Sequence, residues 1–218
     1  MSSITKETEV FIEVCEKRYF DVAKILIESD KVNPSALDNK ALNSAVLHNY
    51  TDIVELLLQH PKVILKKSAS RAILESIVER GNGYHILSSI LKSDKFDITH
   101  DDNNAIRRTA YNGYLDMFKL LLDDSRTDPA AMNNYCLRWS VTNNHLEIAK
   151  LLMQNKRVSI DSSIKHMENY PQGNVGNLTK LKKFRDEMTP EAGKLRTAIE
   201  GLKTMRDNLD KLIAELTK

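Results

Sequence analysis

A phrase of about 32 residues recurs along most of this chain, and it constrains the fold more than any other feature of the sequence. Its clearest copy is Asn144–Met153, and similar runs of aliphatic residues after an acidic one occur at Tyr19–Ile27, Tyr50–Leu58 and Tyr114–Leu122. A unit of this length cannot bury its apolar face alone, so it must stack on its neighbours. The sequence therefore predicts a one-dimensional pile of short structural units.

The spacing of the acidic residues reveals a further copy. They are separated by 31, 64 and 31 residues, and they are Asp21, Asp52, Asp116 and Glu147. The long interval must hold two copies, and Ile73–Val78 and Ser89–Leu91 match the two apolar segments of the missing one. That copy carries one extra residue around Gly81–Gly83. The chain thus holds five copies between residues 5 and 161.

Each copy contains two apolar segments, and their periodicity predicts two short helices rather than strands. The first segment has apolar residues at i, i+3 and i+4, and the second is more densely aliphatic. Asn49, Gly83, Gly113 and Asn144 occupy the turn between them, and these residue types tolerate a left-handed backbone. Arg18 breaks this pattern in the first copy.

A ring follows the turn in every copy, and a polar stretch follows the second helix. Because the ring recurs, we expect it to pack at a junction between helices rather than to carry chemistry. The rings are Tyr19, Tyr50, Tyr84, Tyr114 and His145. In the polar stretch, the prolines of Asn33-Pro34 and Asp128-Pro129 favour extended backbone and a projecting loop.

Two helices and a projecting loop per copy, together with the phrase at Asn143–Met153, resemble the ankyrin repeat. The resemblance covers residues 5–161, although Lys40–Asn43 and its equivalents replace the family's Thr-Pro-Leu-His opening. The asparagine-rich copies are similar to divergent ankyrin arrays of large DNA viruses and amoebae. This resemblance implies an all-α solenoid. We expect a repeat domain over residues 1–170, capped by a short helix at Ile164–Tyr170, and a helical tail over residues 171–218.

The tail is expected to contain two helices. One runs from Asn177 to about Met188, and the other begins at Thr189-Pro190 and extends to about Thr217. The second carries an apolar face formed by Leu195, Ile199, Leu202, Leu209, Leu212, Ile213 and Leu216. Such a face must be covered, either by the preceding helix and the repeats or by another chain in a coiled coil. Both alternatives remain open at this point.

Composition excludes several functional classes. No apolar run approaches the length of a membrane span, and the first fifteen residues lack the apolar stretch of a secretory signal. Cys15 and Cys136 lie four copies apart and cannot form a disulfide in a stack, which favours a reducing, cytoplasmic location in a cell or, for a viral protein, in the host cytoplasm or virion. The formal net charge of +2 gives no reason to expect a nucleic acid or a membrane as partner.

No catalytic, metal or cofactor site is expected. His145 near Glu147 occupies the recurring ring position, and Asp101–Asn104 lacks the ligand spacing of a calcium loop. Gly81–Gly83 follows a helix rather than a strand, so it predicts a turn and not a phosphate-binding loop. Without a nucleophile, base and orienting group at a known spacing, the chain is expected not to be an enzyme.

The resemblance instead implies that the loop tips and the exposed side of the first helices form a concave surface that binds another protein. Mapped by alignment, the candidate contact residues are Leu37, Asn39, His48, Arg71, Arg80, His100, Asp101, Asn103, Tyr111, Asn112, Met132, Asn134, Thr142 and Asn143. A basic patch of Arg107, Arg108 and Arg138 either receives an acidic partner or pairs with neighbouring aspartates. Those aspartates are Asp101, Asp102 and Asp124. We expect Trp139 to pack between copies.

The sequence thus favours a non-catalytic adaptor or scaffold that binds a partner protein through the repeats. The alternative is a structural component of a larger assembly, such as a viral particle, in which the C-terminal helices mediate oligomerisation or docking.

Overall fold

A computed structural model describes residues 4–170 and 175–216, and these residues form thirteen α-helices and no strand. In chain order the helices are α1 Lys6–Glu16, α2 Phe20–Glu28, α3 Ala36–Leu47, α4 Thr51–Gln59, α5 Lys67–Arg80, α6 Tyr84–Leu91, α7 His100–Asn112, α8 Leu115–Asp123, α9 Ala131–Thr142, α10 Leu146–Gln154, α11 Ile160–Asn169, α12 Val175–Met188 and α13 Pro190–Leu216. The predicted all-α fold is confirmed.

The chain divides into two compact units, residues 1–159 and 160–218. The first unit holds five helix pairs, one per sequence copy. The first helices of the pairs (α1, α3, α5, α7 and α9) contact one another in succession, and the second helices (α2, α4, α6, α8 and α10) do the same. The unit is therefore a stack in which each pair meets its neighbours, as the repeat period predicts.

The apolar residues of each pair face the layer between the two rows of helices. One position in the second helix is completely buried in all five copies, and it is occupied by Ala23, Val54, Leu87, Phe118 and Ala149. A matching position in the first helix is no more than 4% exposed, with Phe11, Leu42, Leu74, Ile106 and Leu137. Each buried large side chain contributes about 1.5–3 kcal/mol, so cohesion is spread evenly along the stack.

A left-handed residue ends the first helix of every copy. It is Arg18, Asn49, Gly81, Gly113 or Asn144, with φ between 59° and 79°. Our assignment of Gly83 to this position was wrong, because Gly83 has a φ of −97° and the extra residue of the third copy follows the left-handed one. Arg18, although an atypical residue for this conformation, takes the same backbone as its equivalents.

The recurring ring packs against the left-handed turn of the preceding copy. A Cβ atom on Gly81 would lie 2.4 Å from the Tyr114 ring, and one on Gly113 would lie 2.4 Å from the His145 ring. In the second copy the Tyr50 ring lies 5.3 Å from the guanidinium carbon of Arg18. In these three cases the ring links consecutive copies. In the third copy Gly83 occupies the position just before the second helix, so our assignment of Tyr84 to the recurring ring position was wrong. Tyr84 is instead the first residue of α6.

Copies two, four and five contain a second irregularity that the sequence analysis did not anticipate. Three consecutive non-glycine residues adopt left-handed backbone just before the regular part of the first helix, at residues 37–39, 101–103 and 132–134. The last residue of each triplet is asparagine, one of the types that tolerate this conformation best. In the third copy Arg71 stands at the equivalent position, and α5 runs through it without interruption.

The second unit contains α11, α12 and α13. Helix α11 contacts α12, and α12 contacts α13. Leu181 and Phe184 of α12 and Met167 of α11 are buried, which gives the unit a small core. Helix α13 begins at Pro190, as the start signal predicts, whereas α12 begins two residues earlier than expected. Our domain boundary at residue 170 and the capping role of Ile164–Tyr170 remain predictions.

Candidate functional site

The exposed side of the first helices, with the turns that precede them, forms a surface that we call the first-helix face. Seven of the fourteen predicted contact residues are exposed there, namely Leu37, His48, Arg71, Arg80, Asp101, Tyr111 and Met132. Five more are half-buried, namely His100, Asn103, Asn112, Thr142 and Asn143. The expectation that these residues contact a partner remains a proposal.

The other two, Asn39 and Asn134, are buried, which corrects their assignment as contact residues. Each is the last residue of a left-handed triplet, and its amide turns inward to the loop of the next copy. Asn39 donates from Nδ2 to the carbonyl oxygen of Ile64 at 3.1 Å, and Asn134 Oδ1 accepts from the amide of Ser159 at 3.1 Å. These asparagines therefore join successive loops.

Some of the predicted contact residues also have structural partners in a neighbouring copy. Arg80 donates from its guanidinium to the carbonyl oxygen of Leu47 at 2.8 Å, at the C-terminal end of the preceding first helix. Asn143 donates to the carbonyl oxygen of Tyr111 at 2.8 Å. Such side chains satisfy carbonyl groups that the helix itself leaves unpaired.

A cavity of the first-helix face lies between α7 and α9, and we call it the Tyr–Trp groove. Its volume is about 450 Å³, and its lining residues are Asp101, Asn104, Arg107, Arg108, Tyr111, Tyr135 and Trp139. On α7 the four residues Asn104, Arg107, Arg108 and Tyr111 follow the i, i+3, i+4, i+7 spacing of one helix face. That spacing could have identified the groove, but our sequence analysis considered the arginines, Tyr111 and Trp139 separately and did not single out Tyr135 or Asn104.

Three aromatic rings form one side of the Tyr–Trp groove. The centroid of the Trp139 ring lies 5.2 Å from that of Tyr111 and 5.8 Å from that of Tyr135, within the range of favourable aromatic pairs. Tyr111 belongs to the fourth copy and Trp139 to the fifth, so the predicted packing of Trp139 between copies is observed. The same indole is also partly open to the groove.

Arg107 and Arg138 occupy equivalent positions in α7 and α9 and are held by backbone carbonyl groups. Arg107 donates to the carbonyl oxygens of Asp101 and Asp102, at 2.7 and 2.9 Å. Arg138 donates in the same way to Met132 and Asn133, at 3.0 and 3.1 Å. Each guanidinium therefore stabilises the left-handed triplet of its own copy.

The same two guanidinium groups lie against the Tyr135 ring. Their carbon atoms are 5.1 and 5.7 Å from its centroid, distances typical of cation–π contacts. Burial lowers the pKa of Arg138 below the ordinary arginine value, but a guanidinium remains charged at neutral pH. Tyr135 thus lies between two fixed positive charges.

Arg108 differs from these two arginines because its side chain is exposed and, among the described residues, forms neither a hydrogen bond nor an ion pair. Burial raises the pKa of Tyr135, while the positive charges of Arg107, Arg108 and Arg138 act in the opposite direction. The aspartates that we considered as partners provide little compensation. The Asp101 carboxylate is 3.7 Å from Arg107, and Asp124 pairs instead with Arg126 at 2.7 Å.

A second cavity, of about 410 Å³, lies between α4 and α6 in the row of second helices. Its lining residues are Glu55, Leu58, Gln59, Ser89, Lys92, Ser93 and Asp94. The Ser89 hydroxyl lies 2.7 Å from Glu55 Oε1 and 3.0 Å from the carbonyl oxygen of His85. The contact with Glu55 joins the second helices of two copies, whereas the contact with His85 lies within α6.

The described residues contain neither a cluster of metal-binding side chains nor a helix that could span a membrane. Residues 4–170 and 175–216 contain no group of three or more histidine, cysteine or acidic side chains arranged to hold a metal ion. No helix in that part of the chain combines the length and apolar character needed to cross a membrane.

The sequence matches no protein-family model and no curated protein. The structure, however, is similar to the crystal structure of EF0377, an ankyrin repeat protein. The similarity covers 85% of this chain and 100% of the other, with a TM-score of 0.61 and 21% sequence identity. Together with the five stacked helix pairs, this similarity shows that the chain has the ankyrin-repeat fold.

Proposed function

We propose that the chain is a non-catalytic protein-binding module whose first-helix face contacts a partner. The observation that carries this proposal is the Tyr–Trp groove, in which Tyr111, Tyr135 and Trp139 lie together beside exposed arginine. Tyrosine, tryptophan and arginine are the residue types most enriched at binding hot spots. Exposed Met132, at the tip of the fifth copy, adds a flexible apolar side chain to the same region.

The rigidity of the site supports this proposal. The groove is built on two packed helices rather than on loops, and Arg107 and Arg138 fix the turns at its edge. A surface that is ordered before binding loses less conformational entropy when a partner docks. The two unpaired, buried cysteines are consistent with an intracellular location for such a module.

The test compares two double variants of the full chain that remove apolar contact groups from different faces. Tyr111→Ser with Met132→Ser alters the first-helix face, whereas Val22→Ser with Ile25→Ser removes exposed apolar side chains from α2. Proteins captured from cells by the unmodified chain should remain with the α2 variant and be lost with the first-helix variant. Retention of the same proteins by both variants would contradict the proposal.

A second candidate function is self-assembly through α13, in which the chain is a structural component of a larger assembly. Four of the predicted interface residues have described side chains, and Ile199, Leu202, Leu209 and Ile213 are 43–65% exposed. The side chains of Leu195, Leu212 and Leu216 lie outside the described residues. Met205, which the sequence analysis did not include, is 69% exposed and falls between Leu202 and Leu209 at heptad spacing.

Sedimentation of the full chain at increasing concentration tests this candidate. Self-association through α13 predicts a rise in mass that Leu202→Lys with Leu209→Lys abolishes. The control, Lys203→Glu with Lys211→Glu, changes exposed charges of the same helix and should leave the apolar contact in place. A chain that stays monomeric at all concentrations excludes this candidate.

A further inference from the structure

We propose that the Tyr–Trp groove recognises an acidic peptide segment of a partner protein, with Arg108 pairing with a carboxylate and the rings of Tyr111 and Trp139 packing on an adjacent apolar side chain. This inference rests on the proposed protein-binding function and specifies the chemistry of the partner.

The groove contains several positively charged side chains. Arg107, Arg108 and Arg138 bring three guanidinium groups to this part of the surface. Among the described residues, the one carboxylate that forms an ion pair with any of them is that of Asp101, at 3.7 Å from Arg107. Glu75 of the neighbouring α5 lies 3.4 Å from Asn104 but is engaged by Arg71 at 2.9 Å. Arg108 and Arg138 therefore form no ion pair among the described residues, and an anionic group is the complement of such guanidinium groups.

The three arginines of the groove differ in their hydrogen-bond partners. Arg107 and Arg138 donate hydrogen bonds to backbone carbonyl oxygens of the left-handed triplets. Arg108 is exposed on the adjacent position of α7 and has no such anchor. Its guanidinium remains available for a bidentate contact with a carboxylate, the geometry for which arginine is best suited.

The aromatic rings are the reason to expect a peptide as the partner. Trp139 contacts Tyr111 and Tyr135 at 5.2 and 5.8 Å, and the partly open indole offers an apolar surface next to the positive charge. A peptide supplies both an acidic and an apolar side chain within a few residues. The low-polarity surface beside the ion pair also strengthens the charge interaction relative to open solvent.

The acidic residues at the edge of the groove argue against a nucleic acid. Asp101 and Asp102 are exposed at the turn that leads into α7. They would repel a continuous phosphodiester chain, whose affinity depends on many cationic contacts. A single carboxylate can approach Arg108 without bringing a second negative charge close to these aspartates.

The test selects phage-displayed peptides of random sequence on the full-length chain. The variant is Arg108→Glu, and the control is Lys119→Glu, which makes the same change of charge at an exposed position of α8. We expect the unmodified chain and the control to enrich peptides that carry aspartate or glutamate beside an apolar residue. Arg108→Glu should lose that enrichment. Circular dichroism confirms folding of each variant, and Arg108→Gln replaces Arg108→Glu if the latter unfolds.

The affinity of the most enriched peptide is then measured by the fluorescence of Trp139, the single tryptophan of the chain. Loss of one charge-assisted pair should weaken binding by about tenfold or more in Arg108→Glu, while Lys119→Glu stays within about twofold.

Enrichment of acidic peptides that does not depend on Arg108 overturns the inference. Enrichment of peptides without acidic residues does the same but leaves the proposed function standing if Tyr111→Ser with Met132→Ser abolishes their binding. Arg108-dependent binding of a mixed-sequence single-stranded RNA, in the absence of acidic-peptide binding, also overturns it. Peptides that bind all variants equally contradict both the inference and the use of the first-helix face.

Discussion

Gly113 shows at the scale of one residue why the copies are not interchangeable. Its φ is 79°, and an added Cβ would meet the His145 ring at 2.4 Å. In Arg18, Asn49 and Asn144 the same backbone carries a side chain, so the left-handed conformation alone does not demand glycine. The close approach of the next copy's ring is the additional constraint at Gly113 and at Gly81.

We therefore predict that Gly113→Ala destabilises the repeat unit. Left-handed backbone at alanine costs about 1–2 kcal/mol, and displacement of the His145 ring adds to that loss. The measurement is urea unfolding followed by the fluorescence of Trp139. Gly201→Ala is the matched control, because a Cβ there meets no atom within 4 Å. Equal stability of the two variants would contradict both the cost of the left-handed backbone and the contribution of the ring contact.

The buried thiols of Cys15 and Cys136 make the stability of the repeat unit depend on pH. Both are completely buried, and burial raises the pKa of each thiol from 9.0 to about 12. The native state thus keeps protons that the unfolded state releases, so stability is fully present below pH 9 and falls as the pH rises toward 12. The slope reaches about 1.4 kcal/mol per pH unit for each thiol.

The measurement is the free energy of unfolding at several pH values between about 8 and 10, for the unmodified chain and for Cys15→Ala with Cys136→Ala. The double variant is less stable at every pH because it loses buried volume, but its stability should fall less steeply. Parallel pH profiles would mean that the thiols ionise as readily in the native state as in the unfolded one.

At the scale of the element, the first helices depend on side chains from the next copy. Arg80 reaches back from α5 to Leu47, the last residue of α3, and so caps a helix that is not its own. From the sequence, Arg80 was predicted only as a surface contact for a partner. The structure gives it an additional role, because the carbonyl groups at a helix end need donors from outside the helix.

Arg80→Ala should therefore lower the free energy of unfolding by about 1 kcal/mol, the usual contribution of such hydrogen bonds. Arg71→Ala, in the same helix, removes an exposed pair with Glu75 and should change stability by less than about 0.5 kcal/mol. The free energies of unfolding of both variants are measured by denaturant unfolding and compared with that of the unmodified chain. A larger effect for Arg71 would contradict the capping role.

The helices themselves were predictable because each one follows from an apolar period, and α13 even begins at the expected Pro190. The left-handed triplets were not, since three consecutive such residues run against the preference of nearly every residue in them. In the fourth and fifth copies they are stabilised by Arg107 and Arg138, five and six residues along the chain, and in the second copy by Asn43. Asparagine amides that reach the next loop add to this. Propensity cannot reveal a conformation that tertiary contacts impose.

The candidate site could be predicted from the sequence only in part. Alignment to a regular repeat placed Asn39 and Asn134 on the surface, because in a regular repeat those positions point outward. The left-handed triplets turn them inward. The Tyr–Trp groove was missed as a unit because its residues come from two copies, and the approach of Tyr111 to Trp139 depends on how α7 packs on α9.

At the scale of the whole molecule, cohesion of the repeat unit comes from contacts between adjacent pairs, with no single central core. Each pair contacts its neighbours, and one completely buried position recurs in every pair. Its occupants are Ala23, Val54, Leu87, Phe118 and Ala149. The stability of such an array is close to a sum of repeat and interface contributions. The terminal pairs are therefore the most sensitive to what covers them.

Our expectation that Ile164–Tyr170 caps the repeats leads to a prediction about truncation. A chain ending at residue 176 keeps α11, whereas a chain ending at residue 159 stops at the border of the first compact unit. Repeat arrays need a terminal element with a polar outer face, so loss of α11 should expose the apolar side of the fifth pair. We expect the shorter chain to unfold at lower urea concentration and the longer one to match the full chain, with Trp139 of the fifth pair as the reporter. If both truncated chains unfold at the same urea concentration as the full chain, α11 does not cap the stack, and the fifth pair is stable without a cover.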